Sequence, residues 1–187
     1  MAPRPSRTEV TVRGNPPGIP HEATPSAGGA VARVRALAFS YGDSGRPALD
    51  GIDLEVRPGE VLVLEGPSAG GKSTLLRALA GLVPDFHGGA VSGHVEVMGQ
   101  DALATPPAGL GSAVGMVFQD PEAQAVLGTV ERDVAFGPQN GGLPAEDIAR
   151  RVDRALHDAG ASHLRGRRID ELSSGERQRV AIAGVLA

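Results

Sequence analysis

Cysteine and tryptophan are both absent from this chain of 187 residues, and tyrosine occurs once, at Tyr41. Without cysteine there is no disulfide and no thiolate for a metal, which fits a reducing compartment. Long apolar runs are also missing. None approaches the roughly 20 residues that a membrane-spanning helix needs, and the first residues carry no apolar signal-peptide core. Basic residues do not dominate either. The formal net charge is −4, so a nucleic-acid footprint is not expected. The five histidines, at positions 21, 87, 94, 157 and 163, show no ligand spacing and read as solvated or structural. Among the cations lysine is the rarest: 17 of the 18 Lys+Arg are arginine, and Lys72 stands alone. What the chain does have is glycine (27) and proline (15), the residues of turns.

One stretch organises the rest. Val61 to Val83 reads VLVLEGPSAGGKSTLLRALAGLV. The apolar run Val61 to Leu64 predicts a buried parallel strand. A glycine-rich turn follows, then a helical pattern with Leu75, Leu79 and Leu82 on one face and Pro84 as its stop. Through Gly66, Gly71, Lys72 and Ser73 the turn matches G-x-x-x-x-G-K-[ST] in the strand–turn–helix context that this motif requires. The chemistry accounts for the residue types. Phosphates approach the backbone closely, so the turn is small-chained, and successive N–H groups form an anion nest at a helix N-terminus. Lys72 would reach the β- and γ-phosphates, and the Ser73 hydroxyl would ligate Mg²⁺. In a chain that otherwise uses arginine, one compact ammonium remains where phosphate is met as a point charge. The plain alternative is a glycine-rich connecting turn.

Residues 1 to about 29 are dominated by Pro, Ser, Gly, Thr and Arg and read as a tail, unable to bury enough surface to offset its ordering entropy. Val31 to Phe39 predicts a strand, Gly42 to Gly45 a turn, and Leu49 to Val56 a second strand, with a turn at Pro58-Gly59. Tyr41 could stack on an adenine face or lie at the margin of the core. Val91 to Val97 predicts another strand, and Val114 to Phe118 a short one ending at Gln119-Asp120-Pro121. Ligands of open α/β sheets sit beyond the carboxyl ends of strands, which makes Gln119 a candidate to meet a metal or water. Thr129 to Phe136 predicts a short helix. Pro144 to Ala159 predicts a longer one, with Ile148, Val152 and Leu156 on one face and Arg150, Arg151 and Arg154 on solvated faces. Leu172 to Ala187 reads LSSGERQRVAIAGVLA. Ser173 and Glu176 have capping-box spacing, either as an ordinary helix start or as a terminus presenting Ser173 and backbone N–H groups to an anion.

Together these segments resemble the ATP-binding cassette (ABC) ATPases. Gly66 to Ser73 matches the Walker A loop. Gln119, 47 residues after Lys72, matches the Q-loop, and LSSGE at Leu172 to Glu176 resembles the LSGGQ signature. VFQDPEAQ followed by VERDVAFGPQN is similar to the ATPases of energy-coupling factor transporters, cobalt-type ones included. The resemblance implies an α/β fold. The implied fold is that of a P-loop NTPase with an ABC-type core, an antiparallel β subdomain and a helical subdomain, incomplete at the C-terminus. The implied layout is a tail over residues 1–29, a nucleotide-binding core over 30–119, a helical subdomain over 120–172, and the signature with the start of its helix over 173–187. The implied ligands are ATP and Mg²⁺. Tyr41 would stack on adenine. Gly66, Pro67, Ser68, Ala69, Gly70, Gly71, Lys72, Ser73 and Thr74 would hold the phosphates. Ser73 and Gln119 would contact the metal, with Lys72 and Gln119 serving catalysis. Ser173 and Gly175 would hold the γ-phosphate bound to the opposite subunit of a head-to-tail homo- or heterodimer. The helical subdomain would receive a transmembrane subunit, placing the protein in the cytoplasm, peripheral on the inner face of the cell membrane, with no nucleic-acid partner. Nucleotide closes such a dimer, hydrolysis reopens it, and substrate uptake follows.

The pattern is departed from in three places and then breaks off. Ser174 stands for the first signature glycine, and Ala69 for a common Walker A glycine. Glu176 stands for the signature glutamine, setting a carboxylate beside a triphosphate unless Arg177, Arg179 or the helix dipole compensates. The sequence ends at Ala187 inside a helical pattern, before the family's Walker B aspartate, catalytic glutamate and switch histidine. The chain therefore reads as a truncated product. The central strand would lack a neighbour, nucleotide would bind poorly and turnover would be negligible. Neither Asp120 nor Glu122 reads as a general base. Two other functions fit less of the sequence: a non-hydrolytic regulatory ABC module, and a soluble ABC protein of translation or DNA repair.

Overall fold

In the computed structural model the described residues are 11–14, 29–42, 46–86, 88–120 and 124–187. The chain divides into two compact units, Met1–Val114 and Gly115–Ala187. The expected turn at Gly42 to Gly45 falls mostly outside the described residues, as do Pro121, Glu122, His21 and His87.

The first unit is built on β strands. Strand β1 spans Thr11–Gly14, β2 Ala32–Ser40, β3 Leu49–Val56, β4 Leu62–Glu65, β5 Ala90–Val97 and β6 Gln100–Asp101. Strands β3, β2, β5 and β6 form an antiparallel sheet in that order. Its inward-facing residues, among them Val34, Leu37, Phe39, Leu49 and Val95, are almost fully buried. Midway along β2 the register shifts. Ala36 there has φ 46°, and its N–H donates to Asp53 Oδ1 at 2.9 Å.

Helix α1 (Lys72–Leu79) joins this core through Thr74, Leu75 and Ala78. Its end differs from the expected stop at Pro84. Gly81 adopts φ 68°. Its N–H donates to the Ala78 carbonyl at 3.1 Å, and the Leu82 N–H to the Arg77 carbonyl at 2.8 Å. This is a Schellman closure, so Leu82 lies beyond the helix. A Cβ on Gly81 would sit 2.6 Å from Leu110 Cδ1, so packing as well as φ keeps glycine here. Helix α2 is a single turn, Pro107–Leu110.

Expectations about strands need correcting in two places. First, β4 is antiparallel and half exposed, not the buried parallel strand expected of Val61 to Leu64, and its partner comes from the expected tail. The tail is not wholly without structure: β1 pairs antiparallel with β4, Thr11 opposite Glu65 and Gly14 opposite Leu62. Backbone groups on the strand leading into the glycine turn thus have partners from near the N-terminus. Second, Val114 to Phe118 forms no strand. The Gln124 side chain takes up backbone groups that a strand neighbour would have used. Its Oε1 accepts from the Phe118 N–H at 3.0 Å, and its Nε2 donates to the Met116 carbonyl at 3.2 Å.

The second unit is helical. Helix α3 runs Val130–Asn140, longer than expected and with Pro138 inside it. Helix α4 (Ala145–Asp158) starts after Pro144 and buries Val152, Ala155 and Leu156. Two 3₁₀ turns, Ser162–Leu164 and Ile169–Glu171, lead to α5, Ser174–Leu186. These elements share one core, which includes Val130, Val134, Leu156, Leu164, Leu172 and Val180. Arg165 joins α3 to α4 by pairing with Glu131 and Asp153.

Candidate functional site

The glycine turn lies between β4 and α1. Its backbone alternates in a way that only small residues follow easily. Gly66 has φ 147°, Ala69 62° and Gly71 88°. The alanine tolerates a left-handed conformation that glycine would adopt at less cost. Gly70 donates its N–H to the Pro67 carbonyl at 3.0 Å, and a Cβ on Gly70 would come within 2.9 Å of that oxygen. The first intrahelical bond of α1 runs from the Leu75 N–H to the Gly71 carbonyl at 2.9 Å. The amides of Lys72, Ser73 and Thr74 precede it and have no intrahelical acceptor. No side chain caps this terminus, and its first turn contains no acidic residue.

Lys72 folds back over the turn. Its ammonium donates to the Gly66 carbonyl at 2.9 Å and to the Pro67 carbonyl at 2.7 Å. The one lysine side chain is therefore held across the mouth of the nest by neutral acceptors, which an anionic oxygen can replace with a stronger, charge-assisted bond.

Tyr41 is fastened to the same helix. Its hydroxyl lies 3.1 Å from Thr74 Oγ1 and accepts from Arg77 Nη1 at 3.2 Å. The ring meets Phe39 edge-on, with centroids 4.7 Å apart. Thus Tyr41 and Gly66 to Thr74 come together within the first unit. Arg77 is a member that the sequence reading missed. Its spacing of three from Thr74, one helical turn, was the available signal.

The remaining candidates lie in the second unit. Gln119, Asp120, Ser174, Gly175, Arg177 and Gln178 line one open cleft of about 430 Å³, beside Ser173. Helix α5 begins with a complete capping box. The Glu176 N–H donates to Ser173 Oγ at 3.4 Å. In return the Ser173 N–H and the Ser173 hydroxyl donate to Glu176 Oε2, at 2.8 Å and 2.7 Å. These bonds, first the hydroxyl and then the amide, hold the Glu176 carboxyl below its ordinary range, with help from the charges of Arg167 and His163. Arg167 supplies a counter-charge, its Nη1 lying 3.5 Å from Glu176 Oε1. Arg177 instead donates Nε to the Leu172 carbonyl at 2.8 Å. Arg167 had not been singled out, and it stands nine residues from Glu176 with no helical spacing to mark the pair. A Cβ on Gly175 would meet nothing within 4 Å, so neither internal packing nor a left-handed φ requires glycine there.

A second groove in this unit is lined by Val126, Phe136, Val180 and Val185 among others. Val126 is 60% and Phe136 37% exposed. Among the described residues no group of three or more His, Asp or Glu could hold a metal. Ser73 and Gln119, the expected Mg²⁺ contacts, belong to different units. Each taken by itself, a serine hydroxyl and a glutamine amide oxygen are hard oxygen donors of the kind Mg²⁺ favours.

The profile of the ABC transporter family matches residues 49–187. The chain is 45% identical over 155 residues to a putative ABC transporter ATP-binding protein of Methanosarcina acetivorans, covering 83% of this chain and 25% of that protein. A similarly described protein of Streptomyces coelicolor is 44% identical over 154 residues, 82% of this chain and 27% of its own length. The chain thus spans about a quarter of the length of these curated relatives. Among solved structures it is similar to cbiO1 from Clostridium perfringens, part of the ABC transporter complex cbiONQ. The TM-score is 0.68 at 33% identity, covering 85% of this chain and 62% of that one.

Proposed function

The chain belongs to the ABC transporter family, and from that premise we propose that it is the ATP-binding part of an energy-coupling-factor-type importer. The observation that carries this reading is Lys72. Its ammonium is held by two neutral carbonyls over a helix terminus that has neither a capping side chain nor an acid. A triphosphate supplies the missing acceptor charge. Gly66 to Thr74 would hold the phosphates, Lys72 would exchange its carbonyl bonds for bonds to phosphate oxygen, and the Ser73 hydroxyl and the Gln119 amide oxygen would each offer Mg²⁺ a donor. The metal supplies charge neutralisation on the phosphates when bound. Tyr41, fixed by Thr74 and Arg77, stacks on the adenine.

In this reading Ser173 and Gly175 meet the γ-phosphate held by an opposing ATPase domain. The open side of Gly175 leaves room for that approach, since glycine inside a helix otherwise costs about 1 kcal/mol against alanine. A transmembrane subunit docks on the second unit, where Val126 and Phe136 offer an exposed apolar groove. Docking on that subunit would hold the chain at the inner face of the membrane; no helix among the described residues is long and apolar enough to cross it. The importer assignment is supported by the likeness to cbiO1. Hydrolysis belongs to the assembled transporter.

Co-purification tests the transport role. A membrane subunit should be retained, and deletion of residues 120–140 should release it. Capture of ribosomes or DNA instead would overturn it. ATP binding that survives Lys72→Ala unchanged would contradict the nucleotide reading.

A further inference from the structure

We infer that Glu176 is a positioning residue: it holds the Ser173 hydroxyl turned inward and, with Arg167 as counter-charge, sets how readily the signature turn accepts a phosphate. The inference rests on the reading above in that the turn meets a triphosphate.

The geometry is specific. A serine hydroxyl has one proton to give, and that of Ser173 is given to Glu176 Oε2 at 2.7 Å. An ionised carboxylate only accepts, so it cannot release the hydroxyl by turning a donor toward it. To meet a phosphate oxygen, Ser173 must leave Glu176, and two negative groups are then brought together at a helix N-terminus. The carboxylate is not stranded by that move. It keeps the Ser173 N–H at 2.8 Å and Arg167 at 3.5 Å. Arg167 is itself steadied by a bond from Nη2 to the Glu171 carbonyl at 3.1 Å. The charged groups whose fields reach Glu176 are Arg167, on the segment between the two 3₁₀ turns, and His163, on the first turn. A glutamine at 176 would keep an acceptor for the Ser173 N–H and remove the charge. Glu176 therefore restrains engagement, and Arg167 keeps the restraint small enough to overcome.

The test uses the full chain and three variants, Glu176→Gln, Arg167→Met and the double variant. ATP·Mg²⁺-dependent self-association is followed by sedimentation. Glu176→Gln should associate at about tenfold lower concentration than wild type, the order expected of one like charge at a partly screened site. Arg167→Met should shift association the other way, and the double variant should behave like Glu176→Gln, because Arg167 acts only through the carboxylate. A ¹³C titration of the Glu176 carboxyl gives a readout that packing alone would not move: both Arg167→Met and Ser173→Ala should raise it toward the ordinary range. Glu176→Gln associating no better than wild type, including not at all, overturns the inference. So does a Glu176 carboxyl that titrates normally and ignores Ser173→Ala. Amide shifts at Gly71 and Lys72 on adding ATP·Mg²⁺ test the nucleotide reading separately, so the two failures are distinguishable.

Discussion

Two helices in this chain start at motifs of the same nucleotide-binding family, and their N-termini are built in opposite ways. Helix α1 begins after a left-handed Gly71, has no side-chain cap and no acid in its first turn, and keeps a lysine beside the opening. Helix α5 begins with a complete capping box whose carboxylate already occupies the place where an anion is favoured. The first terminus has unspent amide donors and an ammonium held by neutral oxygens. The second has spent its serine proton internally. A helix N-terminus is thus a binding site only to the extent that the chain leaves it unsatisfied.

The bluntest way to break this comparison is to remove what seats the open terminus. Leu75 is fully buried one turn into α1. Leu75→Ala should cost about 3–4 kcal/mol of stability in the first unit, read by urea unfolding, and weaken ATP binding with it. Next is the charge itself. Lys72→Ala should lose about 2–3 kcal/mol of ATP binding, roughly a hundredfold, while the unfolding midpoint moves little, because its present partners are exposed carbonyls. The closed terminus responds in stability instead. Ser173→Ala should cost about 1 kcal/mol of second-unit stability, measured as the urea midpoint.

The smallest effect is on pH. The folded state holds Glu176 below the ordinary glutamate range, chiefly through the Ser173 hydroxyl. Its stabilisation is therefore fully present above that range and is lost as pH falls through it. The difference in urea midpoint between wild type and Glu176→Gln should shrink between about pH 6 and about pH 3. A difference that stays constant would mean that the carboxylate is not what closes the cap.

Much of this contrast is written locally in the sequence. Gly66 to Ser73 declares its turn by residue type, and Ser173 with Glu176 declares its box by spacing. Strands β2, β3 and β5 and helix α4 follow alternation or helical period between turn residues, and they fall within a residue or so of their expected bounds. What was not legible depends on distant partners. The run Val114 to Phe118 has strand-like residues, but Gln124 takes its backbone bonds. Thr11 to Gly14 looks like tail, yet it pairs with β4 some fifty residues on. The end of α1 turned on Gly81, where a left-handed φ and the nearby Leu110 act before Pro84 can. Arg167 reaches Glu176 through two irregular turns, a path with no period to read.

The most direct test of the open terminus follows the backbone amides of Gly71, Lys72 and Ser73 by ¹H–¹⁵N NMR while ATP·Mg²⁺ is added to the full chain. These amides should shift together and saturably, and the same titration of Lys72→Ala should leave them nearly still. Amides that ignore the nucleotide, or a Lys72→Ala chain that responds as wild type does, would contradict the claim that this glycine turn and its single lysine are kept ready for a triphosphate.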